Sequence, residues 1–213
     1  MATPVVASPR VDPQPQGFAQ RGFRSVIWSA HDENDDELHY AVYFRGEGER
    51  DWKLLKENLE HKFFSWDTAS MPDGAYYLKI VASDSSSNPP GAALSASRES
   101  DRFEVDNTPP LIEKLEAGSF VTKSSSLSVG GVLARFTARD AQSGIERAQY
   151  SVDGAEWILA APAGELSDAL EEKYEIALKN LAPGEHTLAV RAFDRFDNVG
   201  SAKIVFSVPP AKP

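Results

Sequence analysis

Apolar residues alternate with polar ones along much of the chain, with the period of two that a half-buried β-strand imposes. Val26, Trp28 and Ala30 carry this period, and Ala134, Phe136 and Ala138 repeat it. Leu78, Ile80 and Ala82 do the same, as do Leu188, Val190 and Ala192, with Lys79, Ser83 and Arg191 on the opposite phase. Turn-forming clusters separate the runs: Gly46-Glu47-Gly48, Pro72-Asp73-Gly74, Asp153-Gly154 and Pro183-Gly184. Only 162–172 has a weakly helical character. About seven short strands per hundred residues predicts an all-β chain folded as Greek-key sandwiches.

The pattern occurs twice. Trp28-Ser29-Ala30-His31-Asp32 matches Phe136-Thr137-Ala138-Arg139-Asp140, and Leu38-x-x-Ala41-x-Tyr43 matches Ile145-x-x-Ala148-x-Tyr150. Trp52 matches Trp157, Phe64-x-Trp66 matches Tyr174-x-Ile176, and Met71-Pro72-Asp73-Gly74 matches Leu181-Ala182-Pro183-Gly184. Leu78-x-Ile80-x-Ala82-x-Asp84 then matches Leu188-x-Val190-x-Ala192-x-Asp194. Such a repeat predicts two copies of one fold. Proline, which fixes φ and removes a donor, marks the spacers. The expected plan is a Pro-rich linker over 1–17, a first β-sandwich over 18–106, a linker over 107–110, a second β-sandwich over 111–208 and a Pro-rich tail over 209–213.

Composition narrows the function. The 213 residues carry a net charge of −10 and a pI near 4.9, so the chain repels phosphate backbones and anionic lipid surfaces. Neither nucleic-acid binding nor membrane insertion is expected. With no cysteine there is no disulfide, thiolate zinc site or Cys nucleophile. None of His31, His39, His61 and His186 stands in a nucleophile or metal-ligand motif. All four are read as structural or solvent-exposed, and no enzyme is expected. The first sixteen residues lack the apolar core of a signal peptide. That fits either a cytoplasmic protein or a piece of a longer exported one.

Each half resembles a fibronectin type III or bacterial immunoglobulin-like module. Tyr76 takes the place of the tyrosine that caps the corner before strand F, whereas the second half has His186 at the matching position. The phrases at 138–145, 150–154, 191–198 and 106–110 are similar to repeats of large bacterial surface proteins. The resemblance implies tandem sandwiches in an extracellular, cell-surface or periplasmic setting. It also implies a non-catalytic spacer or interaction role beside neighbouring domains of the same polypeptide, or recognition of a protein or polysaccharide ligand.

Two sets of residues are candidates for binding. In such a sandwich the B–C and F–G loops emerge at one pole, which places Asp32 near Asp84, and Asp140 near Asp194 and Asp197. With Asp35 and Asp36 these offer the hard oxygen ligands that Ca²⁺ takes, although each aspartate equally serves as a loop cap. The first half, with more carboxylates in 32–37, is the better Ca²⁺ candidate on that count. Otherwise no cofactor is expected. Trp28 and Trp66 have the inward phase, and Trp52 and Trp157 are placed over the sandwich edge. Phe63, Tyr77 and Phe193 have the outward phase and form the candidate ligand face. The loop 84–91 is long and rich in turn formers, as a recognition tip would be.

Overall fold

The computed structural model describes residues 20–124, 127–164 and 167–210. The Pro-rich stretch 1–17 and the last three residues of the 209–213 tail lie outside them. Seven strands precede residue 106: β1 (Phe23–Ile27), β2 (His39–Gly46), β3 (Lys53–Leu59), β4 (Phe63–Asp67), β5 (Gly74–Ser83), β6 (Ser95–Glu99) and β7 (Phe103–Val105). Seven more follow: β8 (Leu111–Ser124), β9 (Leu127–Arg139), β10 (Ile145–Val152), β11 (Ile158–Ala160), β12 (Glu171–Leu178), β13 (Gly184–Asp194) and β14 (Val199–Val208). No helix occurs among the described residues. In the segment expected to be weakly helical, Pro162 bridges to Tyr174 and β12 begins at Glu171. The alternation eight residues long in β12, exposed then buried, belongs to a strand on a sheet face.

All pairings are antiparallel, and strands of the first group pair only with one another. There β1-β4 faces the sheet β3-β2-β5-β6, with β7 also against β5. In the second group β12-β9-β8 faces β11-β10-β13-β14. The two inner faces of the second group enclose Phe136, Ile145, Tyr174, Ile176, Leu188, Val190 and Phe206. In the first group Val42, Trp66 and Leu78 are buried, with Trp28, Phe44 and Ile80 packed against them. Each pair of sheets is thus a β-sandwich, and the all-β expectation holds.

Local chemistry accounts for the turns. Asp153 and Gly154 have φ of 53° and 75°, the left-handed pair that a tight hairpin between β10 and β11 demands. Gly74 and Gly184 open β5 and β13 with φ of 149° and 138°, a region open in practice only to glycine. The corner after Gly74 is closed by the Tyr76 hydroxyl, which donates to the Pro72 carbonyl at 2.7 Å.

Two of the internal matches shift. Val42 and Phe44 face the first core opposite Ile80 and Leu78, whereas Ala148, Tyr150 and Val152 face the second core opposite Ala192, Val190 and Leu188. Ala41 and Tyr43 therefore lie on the outer face and do not correspond to Ala148 and Tyr150. A one-residue slip exchanges the faces of a strand. Both candidate phases of β2 hold apolar residues, so the alternation there is ambiguous. In the other sheet Val26 pairs with Phe64, while Phe136 pairs with Tyr174. Since Trp28 corresponds to Phe136, this moves Phe64 and Trp66 onto Ile176 and Leu178. A shift of two keeps the face, so Trp66 remains in the core as its phase predicts.

Between Asp106 and Pro110 the chain is tied on both sides. Asn107 accepts no slack: its N–H donates to Asp73 at 2.7 Å, and its amide donates to the carbonyls of Thr68 and Met71 at 3.0 and 2.9 Å. The Thr108 hydroxyl also bonds Asp73. From the second group, Asn198 donates to the Asp106 carbonyl at 2.9 Å. A Cβ added at Gly200 would stand 1.7 Å from the Pro110 carbonyl oxygen, so only glycine lets the two backbones approach this closely.

Candidate metal centre and ligand faces

The loops leaving the B- and F-type strands of each group carry acids at one pole. β1 is followed by Asp32 and Asp36, and β5 runs into Asp84; carboxylate oxygens of these three lie within 4.8 Å of one another. β9 is followed by Asp140, β13 ends on Asp194, and β7 runs into Asp106; these three also meet within 4.8 Å, and all are buried. The expected neighbours Asp32 with Asp84 and Asp140 with Asp194 are brought together. Asp35 is exposed, in a left-handed turn with φ of 57°, and stays out of the first cluster. Asp197 points away from the second and is held by Arg147 at 2.8 Å.

The two clusters differ in what satisfies them. In the first, Asp32 Oδ1 accepts the N–H groups of Asn34 and Asp36 at 2.8 and 3.2 Å, the Asx-turn role. Asp84 accepts the Leu94 N–H at 2.6 Å. The Asn88 amide then donates to both Asp84 and Asp36, at 2.9 and 3.0 Å, and so bridges two of the three acids. In the second, Asp140 Oδ1 accepts Gln142 and Ser143 N–H groups at 2.8 and 2.9 Å. Asp194 accepts the N–H groups of Phe196 and Asn198, both at 2.8 Å, and the Asn198 amide at 2.8 Å. The other proton of that amide goes to the Asp106 carbonyl instead of a second carboxylate.

Asp106 Oδ2, Asp140 Oδ2 and the Ser143 hydroxyl are consequently buried without a hydrogen-bond partner. Burial is the main reason the Asp106 carboxyl is pushed above the ordinary range. The charges of Asp140 and Asp194 add to it, against the nearby Ser143 hydroxyl and the Thr108 N–H. Sequence reading missed Asp106, because nothing in a Val-Asp-Asn-Thr-Pro-Pro string announces that its acid turns inward. Asn88 and Asn198 were also missed. Their signal was present, as Asp84-x-x-x-Asn88 and Asp194-x-x-x-Asn198 repeat one spacing.

The aromatic candidates do not share a face. Phe63 lies on β4, 40% exposed and stacked on His61, whereas Tyr77 and Phe193 lie on β5 and β13 of the opposite sheets. The Tyr77 ring is 5.5 Å from the Arg45 guanidinium, and Phe193 lies 4.0 and 5.2 Å from Arg147 and Arg191. Trp52 stacks beneath Arg45 and Lys79, and Trp157 beneath Arg191 at 4.1 Å. Both tryptophans therefore cover the outer sheet faces, not the sandwich edge, because the cations of the central strands attract the ring faces.

The loop 84–91 is anchored at its base by Asp84 and Asn88. Beside it runs a groove of about 740 Å³ between Val26–Asp32 and the edge strand β6, floored by Leu78, Ile80 and Ala82. In the second group β8, paired to β9, runs in the corresponding place. His186 takes over the tyrosine's role at its corner. Its Nε2 meets the Ala182 carbonyl at 2.8 Å, four residues back as in Tyr76 to Pro72, and its Nδ1 meets Asp153 at 2.7 Å. Both ring nitrogens face acceptors, which favours the protonated imidazole. The Ala182 carbonyl and then Asp153 raise its pKa, and His186 in turn lowers that of Asp153.

No family model matches the sequence, and no curated protein matches it. Among solved structures the chain is similar to the fibronectin(III)-like modules of Clostridium thermocellum CbhA. The identity there is 20%, over 89% of this chain and 87% of that one, with a TM-score of 0.38. It is also similar to the FN1–FN3 domains of chicken CNTN1, at 13% identity over 89% of this chain and 63% of that one, with a TM-score of 0.39. Antiparallel sheets lie face to face, with a tyrosine closing the corner before β5 and a histidine the corner before β13, so each group is a β-sandwich. Among the described residues no helix is long and apolar enough to cross a membrane. The fold is all-β, built of β-sandwiches.

Proposed function

We propose that the chain is a non-catalytic tandem β-sandwich unit that spaces and orients neighbouring parts of a larger exported protein. The observation that supports this most is the connection at 106–110. Asn107 and Thr108 bind it to the first strand group, and Asn198 with the Gly200 contact binds it to the second. A connection held on both sides transmits orientation, as a spacer must. Small-angle scattering tests the reading. A rigid spacer gives one narrow distribution of end-to-end distances. A broad distribution that needs many interdomain angles to fit would overturn it.

An interaction role is the second reading, and the groove beside β1 favours it. The second strand group lays its own β8 in that place, so the chemistry that fits is an extended backbone segment adding to a sheet edge. The groove has more support than an aromatic sugar platform, since the Tyr77 and Phe193 rings are already covered by guanidinium groups. Selection of extended peptides on the chain is expected to enrich a binder that Ile27→Lys no longer retains. Equal retention by that variant would count against the groove.

A further inference from the structure

The cluster of Asp106, Asp140 and Asp194 poses an electrostatic problem that its protein partners do not solve. The three side-chain carboxyls belong to residues 5, 4 and 0% exposed. Like charges this close repel strongly once water is excluded, and buried charges are normally paired or bound to a metal. Two of the nearby cations are engaged elsewhere. Arg147 binds Glu146 and Asp197, and Arg21 donates to the side-chain oxygen of Asn198. Asp106 Oδ2, Asp140 Oδ2 and Ser143 Oγ are buried and make no hydrogen bond of normal length.

From this geometry we infer that Asp106, Asp140 and Asp194 form a Ca²⁺ site at the junction of the two strand groups, with Ser143 as a further oxygen ligand. Ca²⁺ takes six to eight oxygens at about 2.3–2.6 Å, so two ligands across one ion stand no more than about 5 Å apart. The three carboxylates, within 4.8 Å of one another, meet that limit. The set is all oxygen, with no His or Cys, which is the chemistry of a hard cation. Backbone carbonyls and water complete the shell. The first cluster differs in its partners: the Asn88 amide bridges two of its acids, Asp36 and Asp84, whereas the Asn198 amide reaches only Asp194 among the acids of the second.

The inference goes beyond the spacer reading and stands apart from it. The ligands come from the end of β7, the β9–β10 loop and the end of β13, so one ion joins the segment leaving the first group to two loops of the second.

Chelator-treated full chain, titrated with CaCl₂ in a calorimeter, is expected to bind one ion. Its melting midpoint is expected to rise by about 4 °C or more between EDTA and about 5 mM CaCl₂. Asp140→Asn, which keeps the oxygen that accepts Gln142 and Ser143, is expected to abolish both signals while melting in EDTA like the parent chain. Asp36→Asn is expected to retain both. No heat and no shift in the parent chain would overturn the site. So would loss of binding in Asp36→Asn with binding kept in Asp140→Asn. Should Asp140→Asn fail to fold, Asp106→Asn decides the location by the same two readouts.

Discussion

The two strand groups share a plan and differ in how completely they close it. Fourteen buried residues form the core of the second group among those described, drawn from both of its sheets. The first group has six, Tyr40, Val42, Trp66, Tyr76, Leu78 and Val105, of which only Val42, Trp66 and Leu78 form one cluster, ringed by partly buried neighbours. The second lays β8 beside β9 as a third strand, whereas β1 pairs only with β4. On the other sheet, β14 runs unbroken for ten residues. Its counterpart is split into β6 and β7 by Ser100, whose hydroxyl takes the Leu78 N–H. The lesson is that the alternating pattern of each strand sets which side chains point inward. Strand neighbours then decide whether that inner face is covered.

Truncation of matched leucines probes this difference most directly. Leu188→Ala, in the filled core, is expected to cost about 4 kcal/mol, and Leu78→Ala, on the groove floor, about 2 kcal/mol, because a side already open loses fewer contacts. Denaturant unfolding of both variants measures the two values, and equal losses would break the comparison.

Next in size is the junction. Gly200→Ala drives a Cβ into the Pro110 carbonyl and is expected to cost about 3 kcal/mol, whereas Gly118→Ala, with open space around it, is expected to change stability little. Thermal melts of the two alanine variants settle the contrast.

The two corners sharpen the comparison further. Tyr76→Phe removes one hydrogen bond and is expected to cost about 1 kcal/mol at any pH between 5 and 9, roughly, since the phenol stays neutral there. His186→Gln behaves differently. The folded pKa of His186 is raised, so its contribution is full below the unfolded value of about 6.5 and fades as pH rises through the folded value. Asp153, with its pKa lowered, contributes above about 3.9 and loses that contribution as pH falls through its folded value. Stability curves should therefore show the His186→Gln deficit at its largest between about pH 4 and 6.5 and shrinking above it. A deficit that does not vary over pH 5–9 would remove the imidazolium from the account.

The smallest expected effect is on the outer faces. Arg191→Ala uncovers Trp157 and Phe193 and is expected to cost about 0.5 kcal/mol, with a rise in tryptophan accessibility to a neutral quencher such as acrylamide.

Much of this was legible. Leu188, Val190 and Ala192 announce a half-buried strand by period alone, and Tyr76 announces its corner by its distance from Pro72-Asp73-Gly74. The acids at the poles were legible in part, since Asp84 follows β5 and Asp194 ends β13 after the same apolar alternation. Other features were hidden for identifiable reasons. In β2 both phases are apolar, with Ala41 and Tyr43 on one and Val42 and Phe44 on the other, so only the partner strand selects a face. Trp52 and Trp157 turn onto the outer sheets because cations on the central strands draw them there.

By itself, then, the sequence determined what is local: strand phases, glycine turns, the doubled plan and a pole rich in acids. Each of these follows from one residue's backbone preference or from its alternation with near neighbours. Tertiary structure alone decided which acids meet. Asp106 lies far along the chain from Asp140 and Asp194, and is carried to them because β8 starts beside the end of β9, Leu111 opposite Arg139, and Asn198 holds its carbonyl. Asp35 and Asp197 lie next to the clusters in sequence and are turned away by a left-handed turn and by Arg147. A carboxylate's place in a site depends on the direction its backbone takes and on which charge reaches it first, and both are set by residues distant in the chain.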